Sequence, residues 1–250
     1  MISVTKAVQI VLREIHAVGP ETIALEEAVG RVLYASQGDT RPTVWPRNGH
    51  GLSSQDIGLL SALGLKRVTV YRRPKVAILS TGDELVDLGD RPKPGQIVNT
   101  NSYTLAASVI GVGGQPIFLK TVRDRKKEMV EAFREGLRYD VMVSSGGVSV
   151  GDYDFVKEAL REVGLEMHFW KVAQRPGHPL AFGRLGSRPV FGLPGNPVSS
   201  MVGFILYVRP ALLKMTGHKH VFPCVIRALL EETIEKSKGQ IGRASGRERV

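Results

Sequence analysis

The chain has 250 residues, of which 42% are hydrophobic and 23% are charged, and its formal net charge is +10. This length suits one large domain or one domain with extra segments, and the hydrophobic fraction supports a sizeable core. The single cysteine, Cys224, excludes an internal disulfide framework and a zinc site built on several cysteines.

The net positive charge bears on the kind of partner. The basic residues are scattered along the chain, and no aromatic–basic motif accompanies them. This distribution favours anionic small molecules over nucleic acid. No apolar run is expected to span a membrane, and residues 1–19 lack a secretory hydrophobic region. We therefore expect a cytoplasmic protein with no membrane partner and no nucleic-acid partner.

The N-terminal part of the chain predicts short elements. Apolar spacing predicts a helix over residues 4–18, a strand over residues 22–25 and a second helix over residues 26–32. Residues 36–56 show no sustained hydrophobic period, which is typical of a linker. We assign residues 1–36 to an N-terminal helical segment and residues 37–56 to a junction.

Strands and helices alternate after the junction. Apolar runs predict strands at residues 76–79, 115–122, 141–143, 166–172, 180–184 and 190–193. Helical spacing predicts helices at residues 57–63, 103–110, 126–137 and 198–215. This alternation predicts an α/β fold over residues 57–217, a three-layer structure with a mostly parallel sheet covered on both faces.

The stretch D-V-M-V-S-S-G-G-V-S-V-G-D-Y-D, residues 140–154, is the strongest local signal. It predicts a buried strand, a small-residue loop and then a helix. Adjacent Gly146 and Gly147 let the backbone approach a ligand, and loop N–H groups before a helix suit an anion. We expect a side chain at Gly146 to block that approach with little effect on folding. A tight turn with Asp154 as helix cap explains the pattern equally well without a ligand.

Similar loops recur at the predicted carboxyl ends of other strands, where α/β sheets bind ligands. They contain Asp83 and Glu84, Asp124, residues 171–178 and residues 194–197. Each loop alone would be an ordinary cap or turn. Their recurrence at one edge of the sheet predicts a binding site there.

The motifs L-S-T-G-D-E-L, P-G-Q-I-V-N-T-N-S-Y, S-S-G-G-V-S-V-G-D-Y-D, R-P-G-H-P and F-G-L-P-G-N-P-V-S follow in this order between residues 57 and 217. Together they resemble the molybdopterin molybdenumtransferase family, which includes the gephyrin E domain. L-E-E-A-V-G-R-V-L resembles the family's N-terminal segment. An S-G-G loop alone would also fit the related molybdopterin adenylyltransferases, but L-P-G-N-P together with L-E-E-A-V-G-R favours the transferase.

This resemblance implies an activity in molybdenum cofactor biosynthesis. Adenylylated molybdopterin is bound, molybdate delivers molybdenum to the dithiolene, and AMP is released with the help of Mg²⁺. The implied partners are the anionic pterin nucleotide, molybdate and a second copy of the chain in a homodimer. Backbone donors of residues 145–147 would hold a phosphate or the pterin, and Lys171, Arg175 and His178 would supply cationic contacts.

The resemblance also implies the site residues. The catalytic residues are Glu84, Asp124, Asp154, Lys171 and Arg175, and the three carboxylates are the candidate Mg²⁺ ligands. The substrate-binding residues are Thr81, Gly82, Asp83, Asn101, Ser102, Ser145, Gly146, Gly147, Ser149, Gly151, Asp152, Pro176, Gly177, His178, Pro194, Gly195, Asn196 and Pro197.

The sequence also departs from the family. Members carry a P-x-x-x-S-A-M-D-G-Y stretch and a β-rich domain where T-R-P-T-V-W-P-R-N-G-H-G stands here, so one family aspartate has no counterpart. Arg175 and His178 stand where family members carry lysine. We expect residues 218–238 to begin a truncated C-terminal β domain and residues 239–250 to be a disordered tail. A pterin-binding or scaffolding module without turnover is therefore the alternative to an active enzyme.

Overall fold

The computed structural model describes residues 1–34, 48–123, 125–147 and 153–225. Its helices are α1 Val4–Glu14, α2 Ser54–Ala62, α3 Thr100–Gly111, α4 Lys126–Gly136, α5 Tyr153–Glu162 and α6 Pro197–Met215, the last with a π-helical turn at Phe204–Val208. Its strands are β1 Pro20–Ala24, β2 Arg67–Tyr71, β3 Lys75–Ser80, β4 Leu85–Val86, β5 Ile97–Val98, β6 Gln115–Phe118, β7 Val141–Ser145, β8 Glu166–Lys171, β9 Pro179–Leu185 and β10 Arg188–Leu193.

Six strands form the main sheet, in the order β6-β3-β7-β10-β9-β8. Strand β3 is parallel to β6 and β7, and β7 is parallel to β10. Strand β9 is antiparallel to both of its neighbours. The predicted mostly parallel sheet is confirmed, and β3 and β7 pair directly with Val76 opposite Val141.

Helices cover both faces of this sheet. Val76 and Ile78 of β3 point into the core beneath α1, α3 and α6. Ala77 and Leu79 point to the opposite face, beneath α4 and α5. Because successive side chains of a strand alternate in direction, β3 is buried on both sides. The predicted three-layer α/β architecture is thus confirmed.

Side-chain caps decide where several helices begin. Ser3 accepts a hydrogen bond from the Lys6 N–H before α1, and Ser53 forms a reciprocal capping box with Asp56 before α2. Asn196 caps α6, in which Pro197 takes the first position, where a missing N–H costs nothing. The loop after β10 is therefore held by the helix it precedes.

A second, two-stranded sheet joins the N-terminal part to residues after the junction. Strand β1 pairs antiparallel with β2, with Pro20 opposite Tyr71. An apolar cluster including Leu25, Leu60 and Val70 fills the space between this sheet and α2. Residues 54–71 therefore pack with the N-terminal segment and not in the main sheet, although the predicted domain limit at residue 57 grouped most of them with it.

The predicted second helix over residues 26–32 is wrong. Only a three-residue 3₁₀ turn forms, at Leu25–Glu27. Gly30 adopts φ +74° and turns the chain, so that Val32 pairs with Gly51 and Leu33 with Val70. These long-range backbone pairings replace the helix. Strand β6 is also shorter than predicted and ends at Phe118.

Helix α6 corrects the expectation that no apolar run in this chain is long enough to span a membrane. It has the length and hydropathy of a membrane span, but 61% of its apolar window is buried inside the fold, as in the core helix of a folded domain. Beyond it, residues 218–225 contain no strand. The rest of the predicted C-terminal β segment and the predicted tail, residues 226–250, lie outside the described residues.

Candidate functional site

Three loops meet where β3, β7 and β10 end. The Thr81 N–H donates to the Ser145 carbonyl at 3.0 Å, and the Gly146 N–H donates to the Leu193 carbonyl at 3.1 Å. The parallel register places Ser145 level with both Ser80 and Leu193. The carboxyl ends of these strands therefore form one edge, as the sequence predicted.

A cleft of about 100 Å³ opens at this edge. The predicted site residues that line it are Thr81, Glu84, Asn101, Ser145, Gly146, Gly195 and Pro197. The structure thus brings together residues from four separate stretches of the sequence. Asp83 lies in the exposed turn beside the cleft. The Gly82 carbonyl accepts a hydrogen bond from the Leu85 N–H, which closes that turn.

Gly146 has a structural role that the sequence did not reveal. Its φ is +93°, and a Cβ on this residue would collide with the backbone carbonyl of Thr81. A side chain here would push two loops apart, so the expectation of little effect on folding is wrong. The Gly146 N–H is also already bonded to Leu193, which leaves Gly147, at φ +66°, as the described glycine of this loop whose N–H could serve a ligand.

The Asn101 side chain connects two walls of the cleft by hydrogen bonds. Its Nδ2 donates to Ser145 Oγ at 2.8 Å and to the Gly195 carbonyl at 2.8 Å. Ser145 Oγ in turn donates to the Pro194 carbonyl at 3.4 Å. The first turn of α3, the end of β7 and the loop after β10 are therefore connected through one amide and one hydroxyl.

Beneath the cleft lies a hydrogen-bonded network that sequence reasoning missed, except for Ser102. Asn99 Oδ1 accepts from Ser80 Oγ at 3.1 Å, and Asn99 Nδ2 donates to Ser102 Oγ at 3.0 Å and to Thr121 Oγ1 at 3.2 Å. Asn99 is 4% exposed, so these bonds satisfy its polar atoms within the protein. The signal in the sequence was a serine at the end of a buried strand followed by N-T-N-S at a helix start.

Thr81 is a buried polar side chain of the cleft with spare hydrogen-bonding capacity. It is 3% exposed, and its Oγ1 has no hydrogen-bond partner among the described residues. A buried hydroxyl without a partner costs free energy, which a ligand with a suitable group could recover. Glu84, whose side chain is exposed, lies on the same wall.

The predicted cationic residues follow β8 and are not among the described residues that line the cleft; their loop packs against the first turn of α6. Lys171 ends β8, Arg175 is exposed, and His178 is half-buried. Gly177 adopts φ +92° against the Ser199 carbonyl in the first turn of α6, with Pro176 just before it. Tyr207 of α6 donates its hydroxyl to Gln174 Oε1 at 2.6 Å, and burial raises the pKa of Tyr207 to about 12. Helix α6 therefore positions both this loop and the residues 194–197.

Five predicted site residues fall wholly or partly outside the described part of the chain. Asp124, Ser149, Gly151 and Asp152 lie outside the described residues, and so does the side chain of Asp154. Among the residues that are described, no group of three potential metal-binding side chains forms a cluster. The catalytic and metal-binding assignments therefore remain predictions.

These features define a three-layer α/β domain with a polar cleft at the carboxyl edge of its parallel strands, the position at which such sheets bind ligands. The family described as "Probable molybdopterin binding domain" matches residues 77–214, which include all the loops described above. The chain belongs to this family.

Two curated relatives carry the same name. A "Molybdopterin molybdenumtransferase" from Nostoc is 43% identical over 170 residues, which are 66% of this chain and 39% of that protein. One from Haemophilus influenzae is 39% identical over 195 residues, 77% of this chain and 48% of that protein. The chain thus spans less than half the length of these relatives.

Solved structures agree on the fold. A "Molybdenum cofactor biosynthesis protein" from Pyrococcus furiosus, 28% identical, has a TM-score of 0.66 over 88% of this chain and 74% of that one. A molybdopterin biosynthesis protein from Pyrococcus horikoshii has a TM-score of 0.75 at 24% identity, over 88% and 81% of the two chains. The second likeness concerns the fold alone.

Proposed function

We propose that this chain acts in molybdenum cofactor biosynthesis and inserts molybdenum from molybdate into adenylylated molybdopterin, with release of AMP. The observation that carries this proposal is the cleft formed by Thr81, Asn101, Ser145, Gly146 and Gly195, which lies within the part of the chain that matches the family. The names of the curated relatives support it.

The described residues suit a multiply charged anion in three ways. Lys171 and Arg175 provide cationic groups in the loop beside α6, and a guanidinium can pair with two phosphate oxygens. The Thr81 hydroxyl offers a neutral donor in the cleft, and Gly147 follows the cleft residue Gly146 in the same loop. The buried side chains of the network around Asn99, which are Ser80, Asn99 and Ser102, are neutral, so they do not repel the substrate. Binding, orientation and exclusion of water are the tasks these residues would perform.

Mg²⁺ is the metal that the family resemblance implies. Mg²⁺ prefers oxygen ligands and keeps several waters. Glu84 offers a carboxylate and Thr81 a hydroxyl on the same wall of the cleft, so this part of the site fits. Glu84 would hold the ion, together with Asp124 and Asp154 as the resemblance implies. When bound, the metal neutralises phosphate charge.

We expect strong binding but slow turnover. The family's S-A-M-D-G-Y aspartate has no counterpart in this sequence. One positioned charged group commonly contributes on the order of 10²–10³ to a rate, whereas binding energy spread over several loops is less sensitive to one missing neighbour. A pterin-nucleotide-binding or scaffolding module without turnover is therefore the second candidate, and an adenylyltransferase-like activity is the third.

Two measurements on the full chain test these candidates. Calorimetry gives the affinity for adenylylated molybdopterin, and reconstitution of an apo-molybdoenzyme gives the rate of cofactor formation. We expect measurable affinity, reduced about tenfold in Asn101→Ala because the bridge between Ser145 and Gly195 is lost. Ser108→Ala, on the same helix beside Met201, is the control. No binding would refute the proposed site, and cofactor formation at the rate of a full-length relative would refute slow turnover.

We further propose a homodimer located in the cytoplasm, with no nucleic-acid or membrane partner. The dimer rests on the family resemblance, and the exposed apolar residues Val198 and Ile205 on α6 are compatible with it. Analytical ultracentrifugation at several concentrations tests the dimer. A species that stays monomeric at micromolar concentration would contradict it.

A further inference from the structure

A larger depression of about 360 Å³ lies on the other side of Asn99 from the cleft. We call it the Tyr103 pocket, and the residues that matter are Asp87, Tyr103, Phe118, Lys120 and Thr121. Asn99 lines both cavities, so the two share one buried side chain. None of Asp87, Phe118, Lys120 and Thr121 was predicted to take part in a site.

Two aromatic rings form one wall of this pocket. The rings of Tyr103 and Phe118 are 5.3 Å apart at an interplanar angle of 44°, and the two residues are 44% and 51% exposed. Aromatic rings that pack only to complete a core are normally covered by other side chains. Exposed ring faces beside a cavity are instead suited to a planar ligand.

The polar groups of the pocket select the kind of planar ligand. Asn99 and Ser102 are saturated by the network below the cleft. Asp87 remains: its Oδ1 accepts from Thr121 Oγ1 at 2.9 Å, while Oδ2 makes no hydrogen bond within the described part of the chain. A carboxylate accepts and never donates when ionised, so it selects a ligand with N–H groups at its edge. A purely apolar ring would remove this carboxylate from water without a partner, which is unfavourable.

We propose that the Tyr103 pocket binds a planar nitrogen heterocycle, with one face on Tyr103 and Phe118 and its N–H edge on Asp87. Pterins and purines share this chemistry. The exposed Lys120 at the rim favours a heterocycle that carries an anionic group. Where the ligand is a pterin or the adenine of the nucleotide, the inference deepens the proposed function and rests on it.

The experiment uses neopterin and AMP as separate probes of the full chain, by fluorescence titration and calorimetry. Tyr103→Ala removes a stacking face, and Asp87→Asn removes the charge while keeping an acceptor for Thr121. We expect each to weaken binding of the bound probe about tenfold. Ile110→Ala, which is also exposed on α3 but lies outside the pocket, is the matched control and should bind as the wild type.

Each outcome of the probe-binding experiment either identifies the ligand of the Tyr103 pocket or contradicts the proposal. A selective loss for neopterin assigns the pocket to the pterin, and a selective loss for AMP assigns it to the purine. No binding of either probe, unchanged affinity in both pocket variants, or an equal loss in Ile110→Ala would overturn the proposal. Should Tyr103→Ala fail to fold, Phe118→Ala replaces it, because that residue is more exposed.

Cofactor formation by the wild-type chain separates this inference from the proposed function. If the chain forms no cofactor but the probes bind and respond to the variants, the pocket stands and the proposed function fails. If the chain forms cofactor while Tyr103→Ala and Asp87→Asn bind both probes normally, the function stands and the pocket inference fails.

Discussion

Two regions of the molecule differ in the charge of their buried polar groups. One is the carboxyl edge of the main sheet, and the other is the region around β1, β2 and the start of β7, which we call the seam. At the carboxyl edge the buried polar groups are neutral: Ser80, Asn99, Ser102 and Ser145 bond to one another and to backbone carbonyls. At the seam the groups are charged. Arg31 pairs with Glu21, and Arg72 forms a two-pronged bond with Asp140, with both N–O distances at 2.6 Å.

The difference follows from what each region must do. A cleft for a multiply charged anion cannot surround the ligand with buried carboxylates, because like charges repel strongly away from water. Hydroxyls and amides fix the walls without net charge. At the seam, which does not line the cleft, the Arg72–Asp140 ion pair joins the residue after β2 to the residue before β7. Three substitutions test this comparison, from the largest expected effect to the smallest.

Gly146→Ala should cause the largest loss. The new Cβ would meet the Thr81 carbonyl, and an L-residue at φ +93° is itself strained. We expect the free energy of unfolding to fall by about 3 kcal/mol. Gly89→Ala is the control, since Gly89 has φ +101° but nothing within 4 Å. Its expected loss is about 1 kcal/mol. Equal losses in urea denaturation would show that only the φ angle matters.

Asn99→Ala should follow, because it leaves hydroxyls of Ser80, Ser102 and Thr121 without their amide partner and removes the cap of α3. The expected loss of unfolding free energy is about 2 kcal/mol. Thr104→Ala, an exposed hydroxyl on the same helix, should stay within about 0.5 kcal/mol of the wild type. A loss at Asn99 no larger than this control would mean that water replaces the network.

Asp140→Asn tests the seam and should cost about 1–2 kcal/mol at neutral pH. Burial acts to raise the pKa of Asp140, but hydrogen bonds from Arg72 and the Lys75 N–H outweigh it, and the folded-state pKa is lowered. The stabilisation is therefore present above the unfolded pKa of about 3.9 and is lost as the pH falls through the folded pKa.

Urea denaturation of the wild type and Asp140→Asn at several pH values measures this dependence. The two proteins should differ at pH 7 and converge in acid. Asp90→Asn, an exposed carboxylate in the loop after β4, should leave stability unchanged at both ends. A difference between wild type and Asp140→Asn that persists in strong acid would show that the ion pair is not its source.

The fold was largely predictable because its signals are local. The apolar runs of β3 and β7 and the cap-and-apolar pattern of α6 each lie within a few consecutive residues, and all three elements form as predicted. The helix expected over residues 26–32 failed because Val32 and Leu33 pair with Gly51 and Val70. Backbone pairings between residues this far apart in the chain cannot be predicted from the pattern of a few consecutive residues.

The candidate site was predictable in its parts but not in its assembly. Adjacent glycines after a predicted strand pointed to Gly146, and the family resemblance pointed to Asn101. The network around Asn99 was missed because Ser80 and Thr121 reach it from positions about twenty residues away in either direction. Asp87 and Phe118 were missed because an exposed aspartate and an exposed aromatic residue are ordinary surface residues until a cavity brings them together.

The sequence by itself determined which segments are strands, which are helices and where small residues replace side chains, since these depend on the period of apolar residues and on backbone freedom. Only the tertiary structure decided the strand order, the separation of β1 and β2 from the main sheet, and which loops meet. The physical reason is that strand order and loop contacts depend on burial and hydrogen bonding between residues far apart in the chain. Gly146 illustrates both contributions. The sequence shows that this position is a glycine, and the tertiary structure shows that a side chain here would collide with the Thr81 carbonyl.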